Sequence, residues 1–196
     1  MPRLLVVYGT TDGQTGKVTD FLAAEWSRLG ARVDRFEAEA APADLSGYDG
    51  VIVAASVHAG GYQQPVIGWV QSHAAILGAM PSAFISVSLG ILQKDPAVRR
   101  DLDGILGRFV RESRWHPGMV KEVAGALKYR EYGWLKRRVM RYMAAKAGGS
   151  TDTSRNHEYT DWADLRRWAG AFLVDFPEWS RPVLNARSSG EADYAA

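Results

Sequence analysis

The chain of 196 residues contains no cysteine. This absence excludes disulfides, thiolate metal sites, iron–sulfur clusters and a cysteine nucleophile. The four histidines show no ligand spacing such as His-x-x-x-His, so we expect no dedicated metal site. No apolar run approaches the roughly 20 residues of a membrane span. No signal peptide precedes the first predicted strand, so we expect the protein to be cytoplasmic.

The chain as a whole has no large excess of positive or negative charge, but one segment is strongly basic. The formal net charge is only +2. Residues 128–146 nevertheless hold seven basic residues and one acidic residue, so the rest of the chain is net acidic. The length suits one α/β domain with an insertion or a tail, and it is sufficient for a full hydrophobic core.

The first thirty residues predict a strand, a polar turn and a helix. The apolar run from Leu4 to Tyr8 is typical of a strand buried on both faces. The turn that follows is rich in hydroxyl groups and glycine, and it leads into apolar residues at helical spacing. Such a turn directs backbone N–H groups and a helix N-terminus at one point, which favours a phosphate. The candidate phosphate-binding residues are Thr10, Thr11, Asp12, Gly13, Gln14 and Thr15.

The same turn is also compatible with an ordinary βα connection in which Asp12 or Thr15 caps the helix. It does not match two common nucleotide-binding patterns. A Walker loop that ended at Gly16-Lys17 would need glycine where Thr11 stands. The spacing of the glycines does not fit the dinucleotide turn Gly-x-Gly-x-x-Gly either.

Further strands are predicted over residues 32–37, 50–56, 82–89 and 123–127, and further helices over residues 64–77, 96–111 and 161–172. Alternating strands and helices indicate a doubly wound parallel α/β sheet. Five strands fit the flavodoxin-like order 2-1-3-4-5, in which a ligand lies beyond the carboxyl ends of strands one and three. The turns at that edge are residues 9–15, 56–62 and 88–92.

Residues 129–160 interrupt this pattern, after or within strand five, with a predicted basic amphipathic helix. One face is apolar, Trp134 adds an aromatic ring, and the opposite face carries Arg137, Arg138 and Arg141. This composition fits an anionic membrane surface, and it also fits a helix docked on the domain by its apolar face. One short basic helix does not support nucleic-acid binding. Residues 1–174 are predicted to form one domain, and residues 175–196 a flexible tail.

Seven motifs together indicate a family. They are Thr10-Thr-Asp-Gly-Gln-Thr15, Gly50–Ser56 with Tyr62 beyond it, Met80–Ser88, Ser113–Pro117, Ala124–Tyr129, Gly148–Thr153 and Tyr159–Trp162. With these motifs the chain resembles the menaquinone-dependent protoporphyrinogen IX dehydrogenases of the flavodoxin superfamily, which are oxygen-independent bacterial enzymes of haem synthesis. The resemblance covers about residues 3–174. The combination of motifs is much more specific than the first turn alone.

The resemblance implies bound FMN, with its phosphate on residues 10–15. The residues that would hold the flavin ring come from three segments: Ser56, Val57, His58, Ala59 and Gly60; Ser86, Val87, Ser88 and Leu89; and Thr151, Asp152 and Thr153. Tyr62 is the aromatic residue available in the second turn, whereas residues 88–92 contain none, which leaves one flavin face open to a flat substrate. No catalytic side chain is identified, because the flavin carries the chemistry.

The resemblance also implies oxidation of protoporphyrinogen IX to protoporphyrin IX, with electrons passed to menaquinone or ubiquinone. A membrane quinone favours the membrane interpretation of the basic helix, and peripheral association with the inner face of the cell membrane. The candidate contacts to substrate or membrane are Tyr62, Trp134, Arg137, Arg138 and Arg141. Two alternatives remain: a flavodoxin-type electron carrier or quinone reductase without porphyrinogen activity, and a flavin-free interaction domain.

Overall fold

The structure is a computed structural model and describes residues 1–127 and 157–175. The elements in chain order are β1 (Arg3–Tyr8), α1 (Gln14–Arg28), β2 (Arg32–Glu37), β3 (Gly50–Ser56), α2 (Gln64–Ala79), β4 (Ser82–Ser88), α3 (Pro96–Ser113), β5 (Met119–Ala124), β6 (Ala126–Leu127), β7 (His157–Glu158) and α4 (Trp162–Asp175). Short 3-10 helices follow β2 and β4, at Ala38–Ala40 and Gly90–Leu92. The predicted basic helix and residues 176–196 of the predicted tail lie outside the described residues.

Five parallel strands form the main sheet in the order β2-β1-β3-β4-β5, which confirms the predicted topology. The three central strands are almost entirely buried because helices cover both faces of the sheet. The side chains from Leu4 to Val7, for example, are all fully buried in the middle of β1.

Two apolar layers hold the helices against the sheet. On one face, α1 and α4 pack around Trp26 and Phe172, and the Trp26 Nε1–H donates to the Ala169 carbonyl at 3.0 Å. On the other face, α2 and α3 pack around Phe84, Phe109 and Trp115. Each large side chain buried in this way stabilises the fold by about 1.5–3 kcal/mol. The helices therefore fix the sheet, and the turns at its carboxyl edge extend from a rigid base.

The fifth strand differs from the prediction of residues 123–127. β5 runs from Met119 to Ala124, and Gly125 separates it from β6, which pairs with β7 in an antiparallel ribbon. The prediction was wrong because β5 is an edge strand. Its sequence includes the exposed Val120 and the half-buried Lys121 in place of a continuous apolar run. The predicted insertion, residues 129–160, therefore follows β5 and β6, and its last residues include β7.

The start of α1 also differs from the prediction. The N-cap is Gly13, with φ of 81°, and not Asp12 or Thr15. Glycine adopts this left-handed conformation without a steric penalty. Thr15 lies inside the first helical turn, next to Gln14, the first residue of α1.

Candidate site at the carboxyl edge of the sheet

The carboxyl ends of β1, β3 and β4 meet at one edge because these strands are parallel neighbours. Backbone hydrogen bonds continue just past the strand ends. The Gly9 N–H donates to the Ala54 carbonyl at 2.9 Å, and the Val57 N–H donates to the Val87 carbonyl at 2.9 Å. The structure thus places the predicted residues of the first three turns side by side.

Three hydroxyl groups at this edge are buried without a hydrogen-bond partner in the described part of the chain. They are the Oγ atoms of Thr10, Thr15 and Ser88. Thr15 is 0% exposed and Ser88 is 7% exposed. Leaving such a group unsatisfied costs roughly 1–3 kcal/mol, so three of them together indicate a polar ligand. The fourth unpaired buried atom among residues 1–127 and 157–175, Trp115 Nε1, precedes β5 and lies towards the opposite edge.

The first turn has the chemistry of an anion site. The amides that open α1 have no acceptor within the helix, and the helix dipole places partial positive charge there. No acidic residue lies in the first turn of α1 to compete with an anion. The Thr10 and Thr15 hydroxyls add two donors beside these amides. The arrangement fits a phosphate group.

Gln63, which the sequence analysis did not single out, joins the first two turns. Its Nε2 donates to Thr11 Oγ1 at 3.0 Å and to Ser56 Oγ at 2.7 Å, and its Oε1 accepts from the Ser56 N–H at 3.2 Å. Gly9 permits this close approach, because a Cβ atom there would lie 2.6 Å from Val66 Cγ2. The sequence feature that could have identified Gln63 is its position immediately before the start of α2, which a proline marks.

The second turn is held together by its own backbone hydrogen bonds. The N–H of His58 donates to the Gly61 carbonyl at 2.8 Å, and the N–H of Gly61 donates back to the His58 carbonyl at 3.1 Å. Ala59 and Gly60 both have positive φ, at 48° and 79°. An Arg108 Nη1–H donates to the Gly60 carbonyl at 3.3 Å. His58, Ala59 and Gly60 are therefore exposed on a tight turn tied to α3.

Tyr62 lies in the core and not in the site. It is 7% exposed, and its ring packs edge-on against Phe84 and Phe109. Its hydroxyl and Ser86 Oγ are hydrogen-bonded at 2.8 Å, and burial raises the pKa of Tyr62 to about 12. Tyr62, which was predicted to contact flavin, substrate or membrane, therefore packs in the core of the described chain. Its side chain turns towards β4, where an aromatic ring fills the space between the sheet and α3.

The strand-four segment contributes one open hydroxyl. Ser86 Oγ is engaged with Tyr62, and the Val87 side chain is buried in the core. The Ser88 carbonyl accepts from the Gly125 N–H at 3.1 Å, while Ser88 Oγ stays unpaired. Leu89 is half-buried at the rim. Ser88 is thus the member of this segment whose side chain is placed to bind a ligand.

The first turn of α1 also contacts the segment that follows the insertion. The Gln14 Nε2 group donates to Glu158 Oε1 and to Thr160 Oγ1, both at 2.9 Å. Lys17 Nζ pairs with Glu158 Oε2 at 2.6 Å. Because these contacts occupy the Gln14 side chain, its backbone N–H is the part available to a phosphate.

The remaining predicted contacts, Thr151, Asp152, Thr153, Trp134, Arg137, Arg138 and Arg141, lie outside the described residues. Within residues 1–127 and 157–175, no group of three or more His, Asp or Glu residues is arranged to hold a metal ion. Over the same residues, every helix is too short or too polar to cross a membrane.

The sequence matches the family model for the flavodoxin domain over residues 5–154. A protein from Escherichia coli named protoporphyrinogen IX dehydrogenase (quinone) is 34% identical over 182 residues, which cover 89% of this chain and 98% of that protein. A protein of the same name from Leishmania major is 33% identical over 175 residues, covering 88% and 75% of the two chains.

Solved structures agree in fold. Oxidised flavodoxin 2 from Bacillus cereus superposes with a TM-score of 0.55 at 14% identity, covering 89% of this chain and 99% of the flavodoxin. A flavodoxin from Streptococcus pneumoniae superposes with a TM-score of 0.54 at 16% identity, covering 88% and 99%. At these identities the likeness shows the fold alone.

A flavodoxin domain implies FMN as the cofactor. The unpaired hydroxyls of Thr10, Thr15 and Ser88 fit a ligand with a phosphate at one end and a polar ring at the other. The family match covers most of the chain, and the E. coli relative aligns over nearly its whole length. The chain therefore belongs to the flavodoxin domain family and, within it, to the family of the protoporphyrinogen IX dehydrogenases (quinone).

Proposed function

We propose that this chain oxidises protoporphyrinogen IX to protoporphyrin IX with FMN, and that it passes the electrons to menaquinone or ubiquinone. The observation that carries the proposal is the 34% identity over 98% of the E. coli relative, whose name gives both the substrate and the acceptor. The flavodoxin fold supports it with a site at the carboxyl edge of the sheet. The reaction would form a step of haem synthesis.

The first turn would hold the cofactor phosphate. The hydroxyls of Thr10 and Thr15 would donate hydrogen bonds to its oxygens, together with the backbone N–H groups of Gly13, Gln14 and Thr15. The partial positive charge of the α1 N-terminus favours a dianion at this position. Asp12 would contribute through its backbone, and Thr11 is already engaged by Gln63.

The second and third turns would hold the ring. The backbone of residues 57–60 would lie along one edge, and Ser88 Oγ would donate to or accept from a polar atom of the ring. When bound, FMN supplies the redox chemistry by accepting hydrogen from the tetrapyrrole and releasing electrons to the quinone. The chain itself binds and orients these partners.

The second and third turns leave the ring accessible to a large planar substrate. Tyr62 is in the core, and residues 88–92 contain no aromatic residue. Neither of these turns therefore places an exposed aromatic ring against the flavin. A flat porphyrinogen could stack on the uncovered face, whereas a carrier that only transfers electrons needs access to the flavin edge alone.

The basic segment would bring the protein to its acceptor. Trp134, Arg137, Arg138 and Arg141 would contact anionic lipid on the cytoplasmic side of the membrane, where a quinone is available. Removal of residues 131–147 is expected to abolish sedimentation with vesicles that contain anionic lipid. Unchanged sedimentation of the shortened protein would contradict the membrane role and leave the FMN site unaffected.

The decisive experiment is anaerobic. FMN-loaded protein is mixed with protoporphyrinogen IX and a menaquinone analogue, and porphyrin fluorescence is followed. We expect quinone-dependent porphyrin formation above the rate without protein. No acceleration, with flavin bound and reducible, would instead support an electron carrier or a quinone reductase. Absence of bound flavin would support an interaction domain.

A further inference from the structure

We propose that Gln14 couples occupancy of the phosphate site to the anchoring of residues 157–160, so that each stabilises the other. This inference rests on FMN binding at residues 10–15, but not on porphyrinogen activity. It assigns Gln14 as a positioning residue that links the cofactor site to the chain on both sides of the insertion.

Gln14 has two separate roles at the start of α1. Its backbone N–H belongs to the orphan amides that face the phosphate position. Its side chain is part of the protein interior: the residue is 7% exposed, and Nε2 donates to both Glu158 and Thr160 at 2.9 Å. The backbone cannot shift to improve or lose a phosphate contact without straining these two hydrogen bonds.

Residues 157–160 are in turn tied to the opposite end of the site. The Thr160 hydroxyl donates to the Ala124 carbonyl at 2.7 Å, and the Tyr159 N–H donates to the Gly125 carbonyl at 3.2 Å. The Gly125 N–H donates to the carbonyl of Ser88, whose hydroxyl is open to a ligand. A continuous set of hydrogen bonds therefore runs from the phosphate turn to the strand-four turn.

The same segment closes the base of the insertion. Residues 157–158 pair with residues 126–127 in the β6–β7 ribbon. An isolated two-stranded ribbon is marginally stable, so its persistence depends on such attachments. Gln14 provides one of them from outside the ribbon, across 144 residues of sequence to Glu158.

Gln14 is expected to carry the coupling, and Lys17 is not, although both contact Glu158. The Lys17 side chain is 56% exposed and that of Glu158 is 33% exposed, so solvent and salt screen the ion pair. Of the two hydrogen bonds from Gln14, the one to Thr160 is buried and the one to Glu158 is part-buried, and a buried hydrogen bond is stronger and more costly to leave unmade.

Thermodynamic linkage makes the effect reciprocal. If phosphate binding holds Gln14 in place and thereby protects residues 157–160, then anchoring of residues 157–160 must raise the affinity for phosphate by the same factor. Couplings of this kind typically amount to roughly 5- to 150-fold, and we expect about 10-fold here.

The test uses three single variants of the full chain. Gln14→Met keeps the volume and the helix propensity but removes the donor. Glu158→Ala removes one of the two acceptors of the Gln14 side chain together with the Lys17 ion pair, and Lys17→Met removes only the ion pair. FMN and riboflavin affinities are measured by flavin fluorescence quenching of the apoprotein. Amide hydrogen exchange over residues 157–160 is measured without flavin, with riboflavin and with FMN.

In the unsubstituted protein we expect FMN to slow exchange over residues 157–160 about 10-fold more than riboflavin, which lacks the phosphate. Gln14→Met should lose this difference and bind FMN about 10-fold more weakly, with riboflavin affinity unchanged. Glu158→Ala, which keeps the hydrogen bond from Gln14 to Thr160, should lose part of it. Lys17→Met should keep the full difference in protection between FMN and riboflavin. Circular dichroism establishes that each variant is folded.

Two results would overturn the proposal and are distinguishable. Equal protection by FMN and riboflavin in the unsubstituted protein, or full FMN-dependent protection in folded Gln14→Met, would refute the coupling alone. Failure of the unsubstituted protein to bind FMN would refute the cofactor assignment, and the coupling with it.

Discussion

Buried polar side chains at the carboxyl edge of the sheet differ from those on its two packed faces in whether they have hydrogen-bond partners. On the faces, the buried side chains of Thr19, His73 and Ser82 have backbone carbonyls as hydrogen-bond partners at 2.7–3.0 Å, and Trp115 Nε1 is an exception. At the edge, Thr10, Thr15 and Ser88 are as well shielded but have none among the described residues.

The difference matters because a side chain that is suited to binding a ligand can lower the stability of the unliganded protein. A buried hydroxyl with a partner contributes to stability, whereas one without a partner reduces it by roughly 1–3 kcal/mol until a ligand binds. The three open hydroxyls are therefore best explained by a ligand that supplies their missing partners. This explanation is tested by variants that remove either a hydroxyl with a partner or a hydroxyl without one.

The largest effect is expected at Thr15. Replacement by glutamate puts a carboxylate next to the phosphate position in a buried site, where like charges repel strongly. We expect Thr15→Glu to lower FMN affinity at least about 100-fold, equivalent to about 2.7 kcal/mol. The flavin absorbance of the purified protein measures the loss. Full flavin retention would refute the phosphate assignment.

Two valine variants make the same comparison with an isosteric change. Thr15→Val removes an open hydroxyl, so FMN affinity should fall about 10-fold, while the apoprotein should be as stable as before or up to about 1 kcal/mol more stable. Thr19→Val, one helical turn further, removes a partnered hydroxyl. It should cost about 1 kcal/mol of stability and leave FMN affinity unchanged. If both variants behave alike, the distinction between edge and face fails.

The buried Tyr62 on the packed face is expected to make the stability of the protein depend on pH in the alkaline range. Its pKa is about 12 in the folded protein and about 10 in the unfolded chain. As the pH rises, the unfolded state therefore loses this proton first, and the free energy of unfolding falls across that window. The loss should reach roughly 2–3 kcal/mol near pH 12.

Urea denaturation between pH 8 and the alkaline limit, compared with Tyr62→Phe, isolates this contribution. The phenylalanine variant leaves Ser86 without its partner and should be less stable near neutral pH. Its stability should nevertheless decline less steeply above pH 10, because no phenol titrates. Parallel declines for the two proteins would contradict the buried placement of Tyr62.

The two serines at the ends of β4 give a matched pair. Ser82 Oγ, at the amino end, donates to the Leu77 carbonyl at 2.8 Å, whereas Ser88 Oγ, at the carboxyl end, is open. Ser82→Ala should destabilise the apoprotein by about 1 kcal/mol, and Ser88→Ala should not. Only Ser88→Ala should weaken FMN binding, by several-fold. Chemical denaturation measures the stability of each variant, and flavin titration measures its FMN affinity. Equal destabilisation by Ser82→Ala and Ser88→Ala would contradict the proposed difference between the two serines.

The sequence predicts the regular part of this fold because the signals are local. Buried parallel strands such as β1 and β3 are almost continuous apolar runs, and α1 and α3 repeat apolar residues at helical spacing. The order of the strands follows from the handedness of βαβ units. The prediction of a phosphate site in the first turn likewise rests on a local signal, because its hydroxyls are adjacent in sequence.

The features that the sequence does not predict depend on long-range contacts. Gln63 acts across 52 residues on Thr11, and Gln14 acts across 144 residues on Glu158. The inward turn of Tyr62 depends on space left by Phe84 and Phe109, which no local pattern encodes. The sequence identifies the candidate residues with hydroxyl groups at this edge. Only the packed structure shows which of these hydroxyls have no hydrogen-bond partner.

The smallest expected effect compares two left-handed residues at opposite ends of the strands. Ala59, at φ 48°, lies in the second turn of the site, and Arg114, at φ 56°, ends α3 before β5. Glycine relieves the steric cost of this conformation but adds freedom to the unfolded chain, so each change to glycine should stabilise the protein by about 0.5 kcal/mol. A glycine at residue 59 also leaves the turn less pre-organised, so Ala59→Gly should weaken FMN binding about threefold, whereas Arg114→Gly should not. Thermal denaturation and flavin titration of the two variants measure the two effects separately. Equal FMN affinities would mean that the backbone of residues 57–60 does not contribute to holding the ring.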